Sequence, residues 1–303
     1  MHPSQRLVGP VVESALAVLR SRPEYAEFQQ GGSRKAFSEF LDCIAAELIA
    51  EGLPAEDVHF AKRYPRSTSG FVADSLRTLQ QSGVLRHCDY DSERYDAIKR
   101  EMELHHLHGS FRTYIYPEEA RLLYAIIDIE KPRRVVFLGS YYGYWAHAAL
   151  TAIAAAGGTA VLVDPDPVAQ DVARSNLLRA SLLGRVEIAI CTGQEFMDRS
   201  SGRFDMVVLD AEGPRDHADP QQRGKRIYEP LLRHALPRIE AGALLACHNI
   251  LFTDIADCDW FDGIIRRNHA DLDPFLKLVE TEFEQFVECT STEGVGVGRL
   301  RSS

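Results

Sequence analysis

Short apolar runs alternate with amphipathic stretches through the C-terminal two thirds of the chain. The runs are rich in β-branched and aromatic residues, which is typical of strands buried on both faces of a parallel sheet. They lie at 134–138, 159–163, 186–190, 204–209 and 243–246. After the first run, Tyr144 to Ala156 is alanine-rich and stops at two glycines, so this stretch predicts a helix. Strands that alternate with helices predict an α/β fold with a doubly wound, mostly parallel sheet.

The N-terminal third of the chain follows a helical pattern instead. Apolar residues recur every three or four positions in Ser33 to Ala50, Phe71 to Gln81 and Tyr95 to Leu107. Between them, His59 to Gly70 is basic, contains a proline and small polar residues, and predicts a loop. A helical region is therefore expected before the sheet, with a winged-helix dimerisation module as the alternative.

The turn after the first strand, FLGSYYGYWA at 137–146, carries the most specific pattern. It has only Gly139 and Gly143, so it is not the GxGxxG of dinucleotide enzymes. Gly139 lets the backbone approach a ligand, and the N-terminus of the following helix favours a carboxylate or phosphate. Four rings cluster around this turn and cannot all face one core, so some must face a pocket, where they suit a sulfonium cation. The rings belong to Tyr141, Tyr142, Tyr144 and Trp145.

Polar residues follow the other predicted strands. Asp164 ends the second strand, 25 residues after Gly139, where a ribose would lie, and Asp166 is expected to cap the next helix. The segment CTGQE at 191–195 follows the third strand and is a place for adenine contacts. Asp210 ends the fourth strand, and Cys247, His248 and Asn249 end the fifth. The carboxyl ends of parallel strands thus predict one binding cleft.

With these positions, the turn GSYYGYW resembles the G-x-Y-x-G-Y turn of the catechol O-methyltransferase-like, S-adenosylmethionine-dependent methyltransferases. The likeness runs from about Tyr116 to the C-terminus. Its other landmarks are the helix PEEARLLYAII before the turn, Asp164, the pair Gln194-Glu195, Asp210 and the closing GVGVGRL.

The resemblance implies the Rossmann-like class I methyltransferase fold and S-adenosylmethionine as cofactor. It implies catalytic roles at the ends of the fourth and fifth strands, for Asp210, His248 and Asn249. The cofactor would be bound by Gly139, Ser140, Tyr141, Tyr142, Gly143, Tyr144, Asp164, Gly193, Gln194 and Asp210.

Two departures from the family pattern fall on the catalytic apparatus, and a third falls on the residues that bind the methionine end of the cofactor. Where the family has an Asp-Asn pair that binds magnesium with the fourth-strand aspartate, this chain has His248-Asn249, and where the family has a catalytic lysine there is Gly213. Because magnesium prefers hard oxygen ligands, the imidazole weakens a magnesium site and favours a softer metal or none. His248 could instead serve as a general base. Trp145 replaces a small polar residue that would hold the cofactor's carboxylate, so the methionine end is expected to bind differently.

We expect residues 1–112 to form a helical cap or dimerisation region and residues 113–303 to form the S-adenosylmethionine-binding catalytic domain. Tyr114, Tyr116 and Trp145 are the predicted substrate-pocket residues, since the segment before the first strand could fold across the cofactor. The histidines at 105, 106 and 108 invite a metal interpretation, but only His105 and His108 would share a helix face, and a helix end before Gly109 is favoured.

Composition excludes several classes of function. The net charge of −10 argues against a nucleic-acid substrate, since a polyanion needs a basic surface. The six cysteines show no metal-binding spacing, and no apolar run is long enough to span a membrane. These features predict a cytoplasmic protein that acts on a small molecule. Whether it forms a homodimer is left open by the sequence.

Three functions remain compatible with the sequence. The first is a methyltransferase that acts on a small metabolite without the usual magnesium and lysine, and we expect its role to be in specialised metabolism. The second is an enzyme of the azetidine-2-carboxylate synthase type, which cyclises S-adenosylmethionine and releases methylthioadenosine. The third is a non-catalytic relative that binds the cofactor.

Overall fold

The computed structural model describes residues 11–108, 115–256 and 258–302. These residues form one seven-stranded sheet with helices on both faces and a helical region before it. The strands are β1 (Arg134–Leu138), β2 (Thr159–Val163), β3 (Val186–Ala189), β4 (Phe204–Leu209), β5 (Ile239–His248), β6 (Phe283–Cys289) and β7 (Val295–Leu300). The helices before the sheet are α1 (Val11–Arg20), α2 (Pro23–Gln29), α3 (Arg34–Ala50), α4 (Ala55–Ala61), α5 (Thr68–Gln81), α6 (Ser92–His105) and α7 (Pro117–Glu130). Those that follow are α8 (Tyr144–Ala155), α9 (Pro167–Arg179), α10 (Gly193–Arg199), α11 (Tyr228–Ala235) and α12 (Asp259–Glu282).

The strand order is β3-β2-β1-β4-β5-β7-β6, in which β1 to β5 are parallel and β7 runs antiparallel to both neighbours. Val136 of β1, for example, pairs with Val161 on one side and Val207 on the other. The chain reverses its direction of winding between β1 and β4, and ligands of such sheets bind at this switch point. The predicted doubly wound fold is confirmed.

Both faces of the sheet are buried, which explains the uninterrupted apolar runs. On one face Val135 and Phe137 pack in a core with α7 and α8. On the other, Val136 and Leu138 pack in a core with residues of α11 and α12. The strand β5 is longer than predicted, and β6 and α12 were not predicted at all. The helix α12 contains Pro274. The strand β6 has charged residues and is one of the two edge strands of the sheet. Both elements therefore give weak sequence signals.

The N-terminal helices have a third core of their own. It joins residues of α1 to α4 to Tyr116, to Leu251 after β5 and to Phe261 of α12. The predicted loop at 59–70 is too long, because α4 extends to Ala61 and α5 begins at Thr68, with the Ser67 side chain accepting the Gly70 N–H. Residues 11–108 contain no strand, so the winged-helix alternative is wrong for this region.

Arg63 joins this helical region to the sheet. Its side chain is fully buried and donates hydrogen bonds to the carbonyl oxygens of Thr253, Ser291 and Thr292, at 2.8 to 3.1 Å. These carbonyls belong to the segment after β5 and to the turn between β6 and β7. Within the described part of the chain, none of the helices combines the length and apolar character needed to cross a membrane.

Candidate functional site

A cleft of about 1040 Å³ lies at the carboxyl ends of β1, β2, β4 and β5. This is the position of the switch point between β1 and β4. Clefts of about 300 to 1,000 Å³ hold one drug-sized ligand, so this one has room for a nucleotide-sized molecule and a smaller partner. Its walls are formed by the turn after β1, the residues that end the neighbouring strands, the segment 211–227, and residues of α4 and α12.

Gly139 begins the turn after β1 and is required by packing within the protein. Its φ is +85°, and a Cβ there would lie 2.5 Å from the carbonyl oxygen of Asp210 and 2.6 Å from Cα of Ala211. Close approach to the end of β4 therefore requires this glycine in addition to the expected approach to a ligand. Gly143 precedes α8 with a φ of +75°. Tyr141 also has a positive φ, of 45°, and its N–H donates to Asp164 Oδ2 at 2.9 Å.

All four aromatic residues of the turn line the cleft, whereas the sequence predicted only that some of them would. The rings of Tyr141 and Tyr142 pack with their centroids 3.9 Å apart, and the Tyr141 hydroxyl donates to that of Tyr142 at 2.9 Å. Tyr144 packs against His106. The Trp145 ring lies 5.0 Å from the His248 ring, and its Nε1 donates to the Glu119 carbonyl at 3.2 Å.

Asp164 lines the cleft from the end of β2. Its Oδ2 accepts the Tyr141 N–H and its Oδ1 accepts the Asp166 N–H, at 2.9 and 3.0 Å. Burial raises the pKa of Asp164, although the two backbone N–H groups oppose this shift. Each carboxylate oxygen retains a second lone pair for a hydroxyl donor. Asp166 caps α9 by accepting the N–H groups of Val168 and Ala169, which confirms the predicted cap.

The remaining predicted cofactor residues also lie at the cleft. Gly193 and Gln194 form the first turn of α10, and Gln194 donates to the side chain of Gln222 at 2.9 Å. Glu195 does not face the cleft, because its carboxylate accepts from Thr192 in a capping box. Ser140 Oγ accepts a hydrogen bond from Gln170 at 2.7 Å.

His248 ends β5 and is held between two carboxylates. Its Nε2 lies 2.8 Å from Glu119 Oε2, its Nδ1 lies 3.2 Å from Asp210 Oδ1, and only 1% of its side chain is exposed. Burial by itself lowers the pKa of His248, but Glu119 and Asp210 outweigh burial and raise this pKa well above its ordinary value. A general base needs a free nitrogen lone pair, and here both nitrogens are engaged with acceptors. The geometry therefore does not support His248 as the base.

Glu119 is a site residue that the sequence analysis missed. It is completely buried at the start of α7 and accepts four hydrogen bonds. Their donors are the Tyr116 N–H, His248 Nε2, Ser291 Oγ and the Glu293 N–H, at 2.7 to 2.9 Å. Burial opposes ionisation of this carboxyl, but His248 and the hydrogen bonds lower the pKa of Glu119 below its ordinary value. No sequence signal could pair it with a histidine 129 positions away.

Two further acids lie close by. Glu118 is buried and accepts from the N–H and hydroxyl of Thr292, and burial together with the adjacent Glu119 raises its pKa to about 7. Glu293 lines the cleft in the turn before β7, and its Oε2 accepts from Asn249 Nδ2. Burial raises the pKa of Glu293 to about 7, although His248 lowers it. An acid with a pKa near neutral at a cleft wall is suited to proton transfer.

Lys225 is the second missed residue. Its Nζ donates to the Ala211 carbonyl at 3.1 Å and to Asn249 Oδ1 at 2.9 Å, at the wall of the cleft. It reaches this place because Gly213 and Gly224 pair through two backbone hydrogen bonds of 3.0 Å, which fold the segment back on itself. The sequence shows only that position 213 lacks the family's lysine. It does not show that Lys225 reaches the cleft, because this depends on the conformation of the loop.

These residues do not fit the magnesium ion that the resemblance implies. Magnesium requires near-octahedral oxygen ligands at about 2.0 to 2.1 Å. Asn249 Oδ1 instead accepts from an ammonium, and Asp210 Oδ1 faces an imidazole nitrogen. Among the described residues, no group of three or more His, Cys, Asp or Glu side chains is suited to a metal ion.

The predicted pocket residues have different positions. Trp145 lines the cleft, but Tyr116 does not, because its ring is buried against Phe60 and Tyr64 in the N-terminal core. Tyr114 lies outside the described residues. Phe60 and Glu56 of α4 and Ile115 line the cleft, and the sequence analysis did not select them. Their place depends on how the N-terminal helices pack on the segment after β5.

The histidines after α6 pack against the cofactor turn. The helix ends at His105, two residues before the predicted Leu107 and before Gly109 as expected, and His105 is exposed. His106 Nδ1 lies 3.0 Å from Nδ1 of His147 in α8, and the His106 and His108 rings are 4.9 Å apart. His105 and His108 do not share a helix face, because the helix has already ended at His105. Burial lowers the pKa values of His108 and His147 to about 4, so these rings are neutral at physiological pH.

Comparisons with known proteins agree with this architecture. Residues 136–250 match the family model described as a methyltransferase domain. The fold is similar to that of a Podospora anserina methyltransferase crystallised with S-adenosylhomocysteine, at 14% identity and a TM-score of 0.54, over 75% of this chain and 96% of that one. It is also similar to a putative caffeoyl-CoA O-methyltransferase from Staphylococcus aureus, at 13% identity and a TM-score of 0.50, over 75% and 98% of the chains. No curated protein matches the sequence significantly.

Proposed function

Because residues 136–250 form a methyltransferase domain, we propose that this protein is an S-adenosylmethionine-dependent methyltransferase that acts on a small metabolite. The observation that carries the proposal is the convergence of the turn at 139–144, Asp164 and the first turn of α10 on one cleft. These residues come from three separate places in the sequence, and each one lies where the family pattern puts a cofactor contact. The domain match confirms the predicted transferase activity. That the methyl acceptor is a small metabolite is the proposal.

The cleft residues fit the cofactor. Asp164 would accept the ribose hydroxyls, since each of its oxygens keeps a free lone pair beside one backbone N–H. Gly193 and Gln194 would contact the adenine. The rings of Tyr141, Tyr142, Tyr144 and Trp145 would surround the sulfonium, and a ring face near a cation contributes about 0.5 to 2 kcal/mol. Because Trp145 occupies the place of a small polar residue, the methionine carboxylate would be held by other groups of the turn.

When bound, S-adenosylmethionine supplies an electrophilic methyl group, and the protein must position the acceptor in line with it. Asn249 and Asp210 line the cleft at the ends of β5 and β4 and would orient the acceptor atom. The acceptor proton would go to a carboxylate oxygen of Glu293. This assignment is supported by the pKa of about 7 that burial produces at Glu293 and by its place on the cleft wall. His248 would act as a fixed imidazolium that holds Asp210 in position.

The N-terminal region would close the cleft. Phe60 and Glu56 contribute to its wall, which supports a cap formed by residues 1–112 over a catalytic domain of residues 113–303. A cap of this kind excludes water from the transfer step. A role in specialised metabolism, a cytoplasmic location and a homodimer remain predictions.

The experiment uses calorimetry and product analysis on the purified full-length chain. We expect S-adenosylmethionine to bind, and S-adenosylhomocysteine to form only when a metabolite pool is added. The Asp164→Asn variant should bind the cofactor at least ~10-fold more weakly, about 1.4 kcal/mol, while the exposed control Asp171→Asn should bind it normally. Methylthioadenosine formed without any acceptor would replace the proposal by the cyclase, and absence of cofactor binding would refute it.

A further inference from the structure

One lysine of the chain is held at the ends of both β4 and β5. Lys225 Nζ donates to the Ala211 carbonyl, next to Asp210, and to Asn249 Oδ1, next to His248. The hydroxyl of Tyr228 lies 3.4 Å away. An ammonium has three donors, so these contacts fix its position at the wall of the cleft. The same strand ends carry the residues that the resemblance assigns to a metal.

The loop that carries Lys225 also explains why position 213 is glycine. A Cβ at Gly213 would lie 1.6 Å from the carbonyl oxygen of Gln222. Residues other than glycine are therefore excluded at 213 unless the backbone pairing between Gly213 and Gly224 breaks. The paired loop thus leaves no room for a lysine at position 213, and it places Lys225, next to Gly224, at the cleft instead.

The other groups at this point are already satisfied by charge or hydrogen bonding. Asn249 donates its Nδ2 to Glu293 and accepts from Lys225, so its amide is fully oriented. Asp210 Oδ1 faces His248 Nδ1, and the second nitrogen of His248 faces Glu119. A divalent cation bound to Asn249 Oδ1 would have to share that oxygen with the Lys225 ammonium, whose Nζ lies 2.9 Å from it. Two positive charges on one oxygen atom would repel strongly.

We propose that the ammonium of Lys225 stands where the resembling family places its divalent metal, and that its positive charge stabilises the acceptor oxygen electrostatically while its three N–H donors stay with their protein partners. The role of Lys225 toward the acceptor rests on the proposed methyltransferase function. The exclusion of a divalent metal does not depend on that function. The charge of Lys225 is fixed by the fold before the acceptor arrives, and such preorganised charge stabilises a developing oxyanion without reorganisation. The reaction then needs no divalent ion.

The first test measures metal binding directly. The chain is treated with chelator and titrated with manganese(II) in the presence of S-adenosylhomocysteine, with free manganese followed by electron paramagnetic resonance. We expect no stoichiometric site. One manganese ion per chain, lost in the Asp210→Asn variant, would overturn the inference.

The second test detects the ammonium itself. An ammonium held by three partners exchanges its protons slowly, so we expect a resolved lysine ammonium signal in proton–nitrogen NMR spectra that disappears in Lys225→Met and persists in the surface control Lys277→Met. If the two variants have identical spectra, the ammonium is not held as proposed. Both tests work whether or not an acceptor is known.

The third test uses turnover. We expect Lys225→Met to lower kcat by ~10²-fold or more, with cofactor affinity unchanged and no recovery on addition of magnesium. Lys225→Arg, which keeps the charge, should retain part of the activity, and Lys277→Met should retain all of it. Wild-type activity that chelator abolishes, or a fully active Lys225→Met, would overturn the inference. Loss of cofactor binding by the wild-type chain would instead count against the proposed function.

Discussion

Replacing Glu119 with glutamine removes one negative charge from the buried contact with His248. The carboxylate is completely buried and accepts four hydrogen bonds, two on each oxygen. An amide can accept on one side only, so its NH₂ group would face two of the four donors. The variant therefore loses the ion pair with His248, and the NH₂ group of the new amide faces N–H or O–H donors with no acceptor between them.

The size of the effect follows from the geometry. Two charges whose centres are about 4 Å apart attract by about 4 kcal/mol at an effective dielectric constant of about 20. Removing one partner of a buried pair costs about 3 to 5 kcal/mol in measured cases. We expect Glu119→Gln to lower the free energy of unfolding by about this amount. The pKa of His248 should fall, because burial remains while one of the two carboxylates that raise it is gone.

The neighbouring Glu118 is the matched control. It is equally buried, but burial and the adjacent carboxylate raise its pKa to about 7, so it is largely protonated below neutral pH. A glutamine at 118 can still accept the hydrogen bonds of Thr292 through its carbonyl oxygen. We expect Glu118→Gln to cost less than about 1 kcal/mol at pH 6.

Urea unfolding of both variants and histidine NMR titration measure the two quantities. A loss below about 1 kcal/mol for Glu119→Gln, or an unchanged His248 pKa, would refute the proposed charge pair. Equal losses in the two glutamine variants would show that burial, and not charge, determines the cost.

Three further predictions concern the cofactor turn and the buried histidines. Gly139→Ala should destabilise the fold by about 3 kcal/mol or more, because its φ is +85° and its Cβ would meet the backbone of Asp210; a thermal melt with normal stability would contradict this. Asp164→Asn should weaken cofactor binding without lowering the melting temperature of the free chain by more than a few degrees, and a normal dissociation constant in calorimetry would exclude Asp164 from the cofactor site. Histidines have pKa values near 6.5 in the unfolded chain, whereas His108 and His147 have pKa values of about 4 in the folded chain. The unfolded state therefore binds more protons between pH 6.5 and pH 4. The free energy of unfolding should decrease as the pH is lowered through this range, by ~3 kcal/mol per histidine. Denaturant unfolding at pH 7.5 and pH 5 measures this pH dependence, which His147→Gln should reduce and the exposed control His105→Gln should not. The same change in the free energy of unfolding between these pH values in both variants would rule out the buried histidines as its source.

Local pattern was sufficient for the sheet and for part of the site. The strands β1, β2 and β4 have the predicted bounds because strands buried on both faces need uninterrupted apolar runs. Asp166 was predicted as a cap because its hydrogen bonds reach only two and three residues ahead. Asp164, Gly193 and Asp210 meet at the cleft because the carboxyl ends of parallel strands lie on the same edge of a sheet.

The contacts that determine the catalytic groups join distant parts of the chain. Glu119 meets His248 across 129 positions, and Lys225 enters the cleft only because Gly213 pairs with Gly224. The sequence alone suggested a histidine base and a missing lysine, since it shows which residue types are present and not their partners. Protonation and charge depend on neighbours within a few ångströms, and packing of the N-terminal helices, the sheet and the loop at 211–227 brings those neighbours together. The sequence therefore determined the fold and the place of the cleft, while the tertiary structure decided which groups there carry charge and which can move a proton.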